Sequence, residues 1–191
     1  MRNRLAMAAL AGWAVPLMAQ PVDYRLNPTH SLVHFELAHF GASTIRGRTA
    51  PLDGQVTLDR QARSGRVQVV VDMAAVNTGI EALDARLRGA ELFDVAAHPQ
   101  AYFVAERFDV DADGGLRSLR GEFTLRGQSQ GLTLQAERWR CYTSPLLRRE
   151  VCGGDFSATL SRSAYGLTLG LPFVGDEVRL RIAVEAVRQS P

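Results

Sequence analysis

Lysine is absent from the 191 residues, and every one of the 22 basic side chains is arginine. Schiff-base chemistry and lysine general bases are thereby excluded. Cysteine is scarce, with Cys141 and Cys152 alone, and histidine numbers four, so a zinc site with several soft ligands has little to be built from. An excess of one charge is also lacking. The chain opens with Arg2 and Arg4, an apolar stretch from Leu5 to Met18, and Ala19. That is the layout of a cleavable secretory signal, and cleavage after Ala19 is expected, with residues 1–19 as signal and 20–191 as the mature domain. The apolar run falls short of a usual membrane span, which makes an uncleaved anchor the weaker reading. Losing Arg2 and Arg4 takes the 22 basic residues to 20, equal to the 20 acidic ones. A formally neutral mature chain lacks the basic stripe that neutralises phosphates, so nucleic acid is not an expected partner.

What the sequence does have is 46% apolar residues, enough for one globular domain with a substantial core. In an oxidising compartment Cys141 and Cys152 pair with each other, stapling the short excursion that holds Pro145. Closing so small a loop stabilises by roughly 3 kcal/mol in the chain-entropy model. A redox couple would favour Cys-x-x-Cys spacing, which these two lack.

Period-two alternation runs through the chain, the mark of strands with one wet and one buried face. Val178, Leu180, Ile182, Val184 and Ala186 fall on one face, with Glu177, Arg179, Arg181 and Glu185 on the other. Ser31, Val33, Phe35 and Leu37 likewise face in, while His30, His34 and Glu36 face out. Further strands are expected near 67–73, 102–108, 119–125, 132–136 and 156–160, with shorter ones at 22–26 and 52–58. Asp53-Gly54, Ser64-Gly65, Asp113-Gly114-Gly115, Arg126-Gly127 and Gly175-Asp176 read as reversals. Eight or nine antiparallel strands form either a closed barrel or a two-sheet sandwich, and closure removes exposed edges.

One helix is expected from Thr78, where Thr78 and Glu81 form a capping box. Ile80, Leu83, Leu87 and Ala90 follow at helical spacing, one apolar stripe that suits a lid at a barrel opening. Pro99 ends any helix before it.

A search for catalytic groups finds no converging set. His30 and His34 lie four apart on a strand, about 13 Å by strand rise, too far for one metal ion. His39 falls on the inward face, either as a hydrogen-bonded structural imidazole or as a polar contact for a ligand head. Ser31 and Ser161 lie outside any nucleophile elbow. Asp84 and Arg162 are candidates for pairing, since a buried charge needs a partner. Arg86, Arg88 or Arg162 can match a diphosphate or carboxylate, while solvated surface is the plainer fate of Arg86 and Arg88.

An ordered series of short motifs spans the mature chain: Asn27-Pro28-Thr29-His30-Ser31, His39-Phe40-Gly41, Val76-Asn77-Thr78-Gly79, Asp84 with Leu87, Phe93-Asp94-Val95 with Pro99, Gly121 with Leu125 and Gly127, and Arg162 with Gly166. In that order it resembles the YceI-like family of periplasmic, lipocalin-like proteins that bind polyisoprenoids and related amphiphiles. Thr49 stands where the family usually has an aromatic, Arg86 where a His is frequent, and Gln128-Ser129-Gln130-Gly131 replaces a Thr- and Pro-containing turn. The resemblance tips the fold to an all-β, antiparallel lipocalin-like barrel of about eight strands with one helix near the mouth. It implies an elongated apolar cavity of roughly 300–1,000 Å³. The expected ligand-binding residues are Phe35, Leu37, His39, Val69, Val71, Leu83, Leu87, Phe103, Phe123, Leu134, Arg162 and Ile182. The implied protein is a periplasmic, non-enzymatic carrier without a cofactor or metal. Its expected partners are a polyisoprenoid, an isoprenoid quinone or a fatty acyl lipid, with transient membrane contact. An enzyme using His39 as acid or base, and a filled barrel that docks to a membrane or redox partner, are the rival readings.

Overall fold

The strand at the C-terminal end organises the fold because it is long enough to serve two neighbours along one edge. In the computed structural model, which describes residues 20–49 and 53–190, the strands are β1 (Val22–Leu26), β2 (Leu32–His39), β3 (Ser43–Arg48), β4 (Asp53–Asp59) and β5 (Ser64–Asp72). After helix α1 (Glu81–Arg88) come β6 (Gln100–Val110), β7 (Leu116–Leu125), β8 (Gln128–Thr143), β9 (Glu150–Ser161) and β10 (Glu177–Arg188). The last part of β10 pairs with β1, Leu26 opposite Ala186, and its first part pairs with β2, Ala183 opposite Leu32. Strands β1 and β2 are thus one edge broken by the short turn Pro28–His30, where the Asn27 side chain accepts from the Thr29 N–H. The order β1-β4-β5-β6-β7-β8-β9-β10 returns to β1, so eight antiparallel strands close a barrel. Strand β3 folds back on β2 and ends in a bridge between Arg48 and Asn77. Closure leaves no long open edge among the ring strands.

The two barrel ends differ. One, the floor, carries the turns at 60–63 and 111–115 and the tip at 144–149. The other, the mouth, carries α1, the β2–β3 turn and the segment 162–176. Between them the inward residues form two adjoining apolar clusters, one around Tyr24, Leu26, Val71 and Tyr165 and one around Phe103, Leu119, Leu134 and Phe156.

Several local expectations change. Asp53-Gly54 begins β4 rather than turning the chain, with Asp53 opposite Val70. A Cβ on Gly54 would lie 2.4 Å from the Gln68 carbonyl oxygen, so glycine permits close strand approach there. Ser64-Gly65 likewise starts β5, and the reversal precedes it. Strand β3 is additional to the expected set, and β8 and β9 extend well beyond 132–136 and 156–160. The cysteine excursion is the end of their long hairpin, with Cys141 directly opposite Cys152. Leu52, the expected first residue of the strand at 52–58, and the expected signal segment lie outside the described residues.

The helix is also shorter than its pattern. Its N-cap is Ile80, in extended geometry and without a side-chain cap. Thr78 instead gives its N–H and hydroxyl to the Asp84 carboxylate, both at 2.7 Å. The carboxylate one turn inside the helix outcompetes the expected reciprocal cap with Glu81. Ile80 leaves the apolar stripe and is exposed.

Candidate functional site: an apolar barrel cavity and its mouth

The inward faces enclose a cavity of about 480 Å³, lined almost wholly by apolar side chains. All twelve residues expected at a ligand site line it. From β2 come Phe35, Leu37 and His39, from β5 Val69 and Val71, and from β6 and β7 Phe103 and Phe123. Leu134 of β8, Ile182 of β10, and Leu83 and Leu87 of α1 complete the apolar part of that set, with Arg162 directly after β9. Phe35 owes its position to Gly47 opposite: a Cβ there would sit 2.3 Å from the Phe35 ring. Phe123 meets Tyr165 edge-on with centroids 5.7 Å apart.

Simple alternation missed some of the lining. A register shift between Ala136 and Arg138 in the β8–β9 pairing turns Trp139 into the lining and packs Cys141 against the core, where plain period two from Leu132 would have placed Arg138. A similar shift between Ala105 and Arg107 in β6 turns Phe108 in. A bulge adds one residue to one strand and resets its parity. In both places the sequence carries a signal, since Trp139-Arg140-Cys141 and Arg107-Phe108 restart the apolar face after two consecutive polar residues.

At the floor, Tyr24 donates to Glu150 at 2.8 Å, and Arg60 reaches the other Glu150 oxygen at 2.6 Å. Arg60 also lies 3.3 Å from the Cys152 sulfur, and Arg188 lies 3.7 Å from Glu150. Burial would raise the Glu150 carboxyl, but hydrogen bonds from Arg60 and Tyr24 hold it below the ordinary glutamate range. The bonded Cys141–Cys152 pair sits beside this network. The cluster Cys141, Glu150 and Cys152 has the ligand types of a metal site, but both sulfurs are committed to each other.

At the mouth, Asp84 and Arg162 do not pair. The Asp84 carboxyl is held below its ordinary range by the Thr78 hydroxyl and, secondarily, its backbone N–H, against the cost of burial. Arg162 is 5% exposed and donates to the carbonyls of Leu167, Leu169, Val174 and Gly175. Its fork therefore shapes the 167–175 segment. Asp176 accepts from the Ser161 hydroxyl and from Ser163, contacts that lower its carboxyl. Arg126 bridges two mouth segments, donating to the carbonyls of Ala90 and Gly166. Arg86, with 61% of its side chain exposed, also lines the cavity, so the cavity reaches the surface beside α1.

The β2–β3 turn carries an unusual residue. Phe40 and Gly41 both have positive φ, 52° and 64°, and Ala42 N–H bonds the His39 carbonyl at 3.0 Å, the signature of a tight primed hairpin turn. A bulky aromatic in the left-handed region is disfavoured. It is held by its N–H to the Phe173 carbonyl at 2.6 Å and by ring stacking on Phe173 at 5.3 Å. Both rings stay about 60% exposed, at 62% and 61%.

A closed eight-strand barrel around an apolar cavity is the architecture expected from the motif series. The sequence model of the YceI-like domain matches residues 24–186. The chain belongs to the YceI-like family. Relatives include a UPF0312 protein of Pectobacterium carotovorum, 30% identical with 98% of each chain covered, and a UPF0312 protein of Pseudomonas aeruginosa, 29% identical with 90% of each covered. Among solved structures, Burkholderia cenocepacia BcnA superposes with a TM-score of 0.69 at 21% identity, covering 84% of this chain and 98% of that one. A polyisoprenoid binding domain from Saccharophagus degradans, implicated in plant cell wall breakdown, gives 0.62 at 17% identity, covering 88% and 99%. These likenesses support the lipocalin-like barrel fold.

Proposed function

We propose that this YceI-like protein is a periplasmic, non-enzymatic carrier that sequesters a long-chain amphiphile, polyisoprenoid, quinone or fatty acyl, inside the barrel. The observation that carries the reading is the 480 Å³ apolar cavity reaching the surface at α1. Burying a chain there removes apolar area from water at about 25 cal/mol per Å². The polyisoprenoid binding domain among the structural neighbours supports a prenyl chain. The apolar residues among the twelve named above are the proposed chain contacts, and the signal-like layout of residues 1–19 and the disulfide support a periplasmic address. The exposed Phe40–Phe173 pair supports brief contact with a bilayer during loading, because aromatic rings favour the membrane interface.

The test is native mass spectrometry of the mature protein purified from the periplasm, followed by organic extraction. A stoichiometric prenyl or acyl lipid is the expected result. An empty protein that rejects added lipids would replace the carrier with the filled barrel. Turnover of lipid abolished by His39→Ala, with binding intact, would replace it with an enzyme.

A further inference from the structure

The ionic side chains that line the cavity itself all have one sign. Among the described residues that line it there is no aspartate or glutamate; the cationic or potentially cationic side chains are His39, Arg86 and Arg162. Arg162 is spent, since its guanidinium is aimed at four backbone carbonyls. Arg86 is not spent in this way. Its nearest carboxylate, Glu91, is 4.0 Å away and 69% exposed, a screened surface contact worth little.

Arg86 is also in the right place. It lies three residues from Leu83 and one from Leu87 on α1, both of which line the cavity. Positions three apart neighbour each other on a helix surface, so the arginine stands beside the apolar stripe at the mouth. Its aliphatic stem can lie along apolar surface while the fork stays in water. A chain threaded into the barrel must bring its head past this fork.

We propose that the ligand carries an anionic head, a carboxylate or phosphate, and that Arg86 recognises it. The inference rests on the carrier reading and narrows it, setting neutral quinones below acidic amphiphiles. A guanidinium gives paired hydrogen bonds to such oxygens and has no acceptor to offer a neutral hydroxyl's proton. The carbonyls of a quinone would gain only single, uncharged-acceptor bonds.

The test compares matched pairs by isothermal calorimetry on the mature protein: farnesyl phosphate against farnesol, and palmitate against 1-hexadecanol, all below their micelle concentrations. Trp139, which lines the cavity, supplies an independent fluorescence readout. The expected result is at least tenfold tighter binding of the acidic member of each pair. Arg86→Gln should remove most of that gap, chiefly by weakening the acidic members, and inorganic phosphate should restore none of it. Equal binding within both pairs would overturn the anionic head while leaving the carrier intact. A gap that survives Arg86→Gln would overturn the role of Arg86. Inorganic phosphate binding as tightly as farnesyl phosphate would show a free-anion site and overturn the lipid assignment. Rejection of all four amphiphiles would overturn the carrier reading and this inference with it.

Discussion

At the floor of the barrel, Cys141 and Cys152 are bonded across β8 and β9, and Arg60 spans from the β4–β5 turn to Glu150 at the start of β9. At the mouth, the ties are of another kind. Arg162 satisfies four carbonyls of an irregular segment, Arg126 two more, and Asp84 and Asp176 take backbone and hydroxyl protons of adjacent turns. The floor disulfide joins strands already paired by the ladder, and the Glu150 cluster ties β1 and the β4–β5 turn to β9, elements whose backbones are already fixed by their own ladders, so each adds to existing structure. Mouth ties are what give non-repetitive backbone its shape, because buried carbonyls without a donor are costly. A mouth built this way can keep an opening for ligand while a floor built the other way stays shut.

The sharpest way to break this contrast is Arg162→Met, which keeps the stem and removes the fork. Loss of all four carbonyl partners is expected to cost about 3–5 kcal/mol in urea denaturation. Arg162→Lys should recover only part, since an ammonium cannot reproduce the fork. A cost under about 1 kcal/mol would mean that the 167–175 segment holds itself. The floor counterpart is the double change Cys141→Ser with Cys152→Ser. It is expected to cost about 2–3 kcal/mol from unfolded-state entropy while lipid affinity stays within twofold, because the ladder between β8 and β9 persists. Lost lipid binding would make the floor part of the ligand site.

How much of this was legible in the sequence depended on whether the relevant contact was local. Alternation in β2 and β10 located Phe35, Leu37 and Ile182 on the inner face because an unbroken strand keeps its parity over its whole length. Parity failed at Arg138 and Arg107, where bulges inserted one residue, and β3, short and rich in polar residues, left no apolar face to read. The Thr78 capping box failed because Asp84 competes for the same hydroxyl. The role of Arg162 lay beyond reach: its partners are backbone carbonyls, which leave no trace in residue identity. The pairing Asp84–Arg162 looked plausible for the same reason, since only side chains can be paired on paper.

Between those effects and the smallest lies Gly47→Ala, a test of cavity shape. The new Cβ would be 2.3 Å from the Phe35 ring, so the ring must swing into the cavity or β3 must shift away from β2. Overpacking of this kind costs about 1–3 kcal/mol, and a displaced ring should weaken binding of a long-chain lipid by about tenfold. Unchanged affinity with lowered stability would show that β3 moved instead, placing the strain outside the cavity.

The smallest expected effect concerns acid. Glu150 at the floor is depressed below its reference of 4.5, while Asp84 and Asp176 at the mouth are depressed below 3.8. A carboxyl whose folded-state value is lowered contributes stability that is fully present above its unfolded value and is lost as pH falls through the folded one. Melting temperature should therefore be flat from about pH 7 down to about 5 and then decline, the floor contribution beginning to fail at a higher pH than the mouth contribution. Glu150→Gln should lower stability slightly at neutral pH, because Arg60 and Arg188 lose their carboxylate, and should remove the earlier part of the acid decline. Asp176→Asn should leave that part and flatten only the later one. Identical acid profiles for the two variants would mean that floor and mouth do not titrate separately, and the division between the two ends would hold for geometry alone.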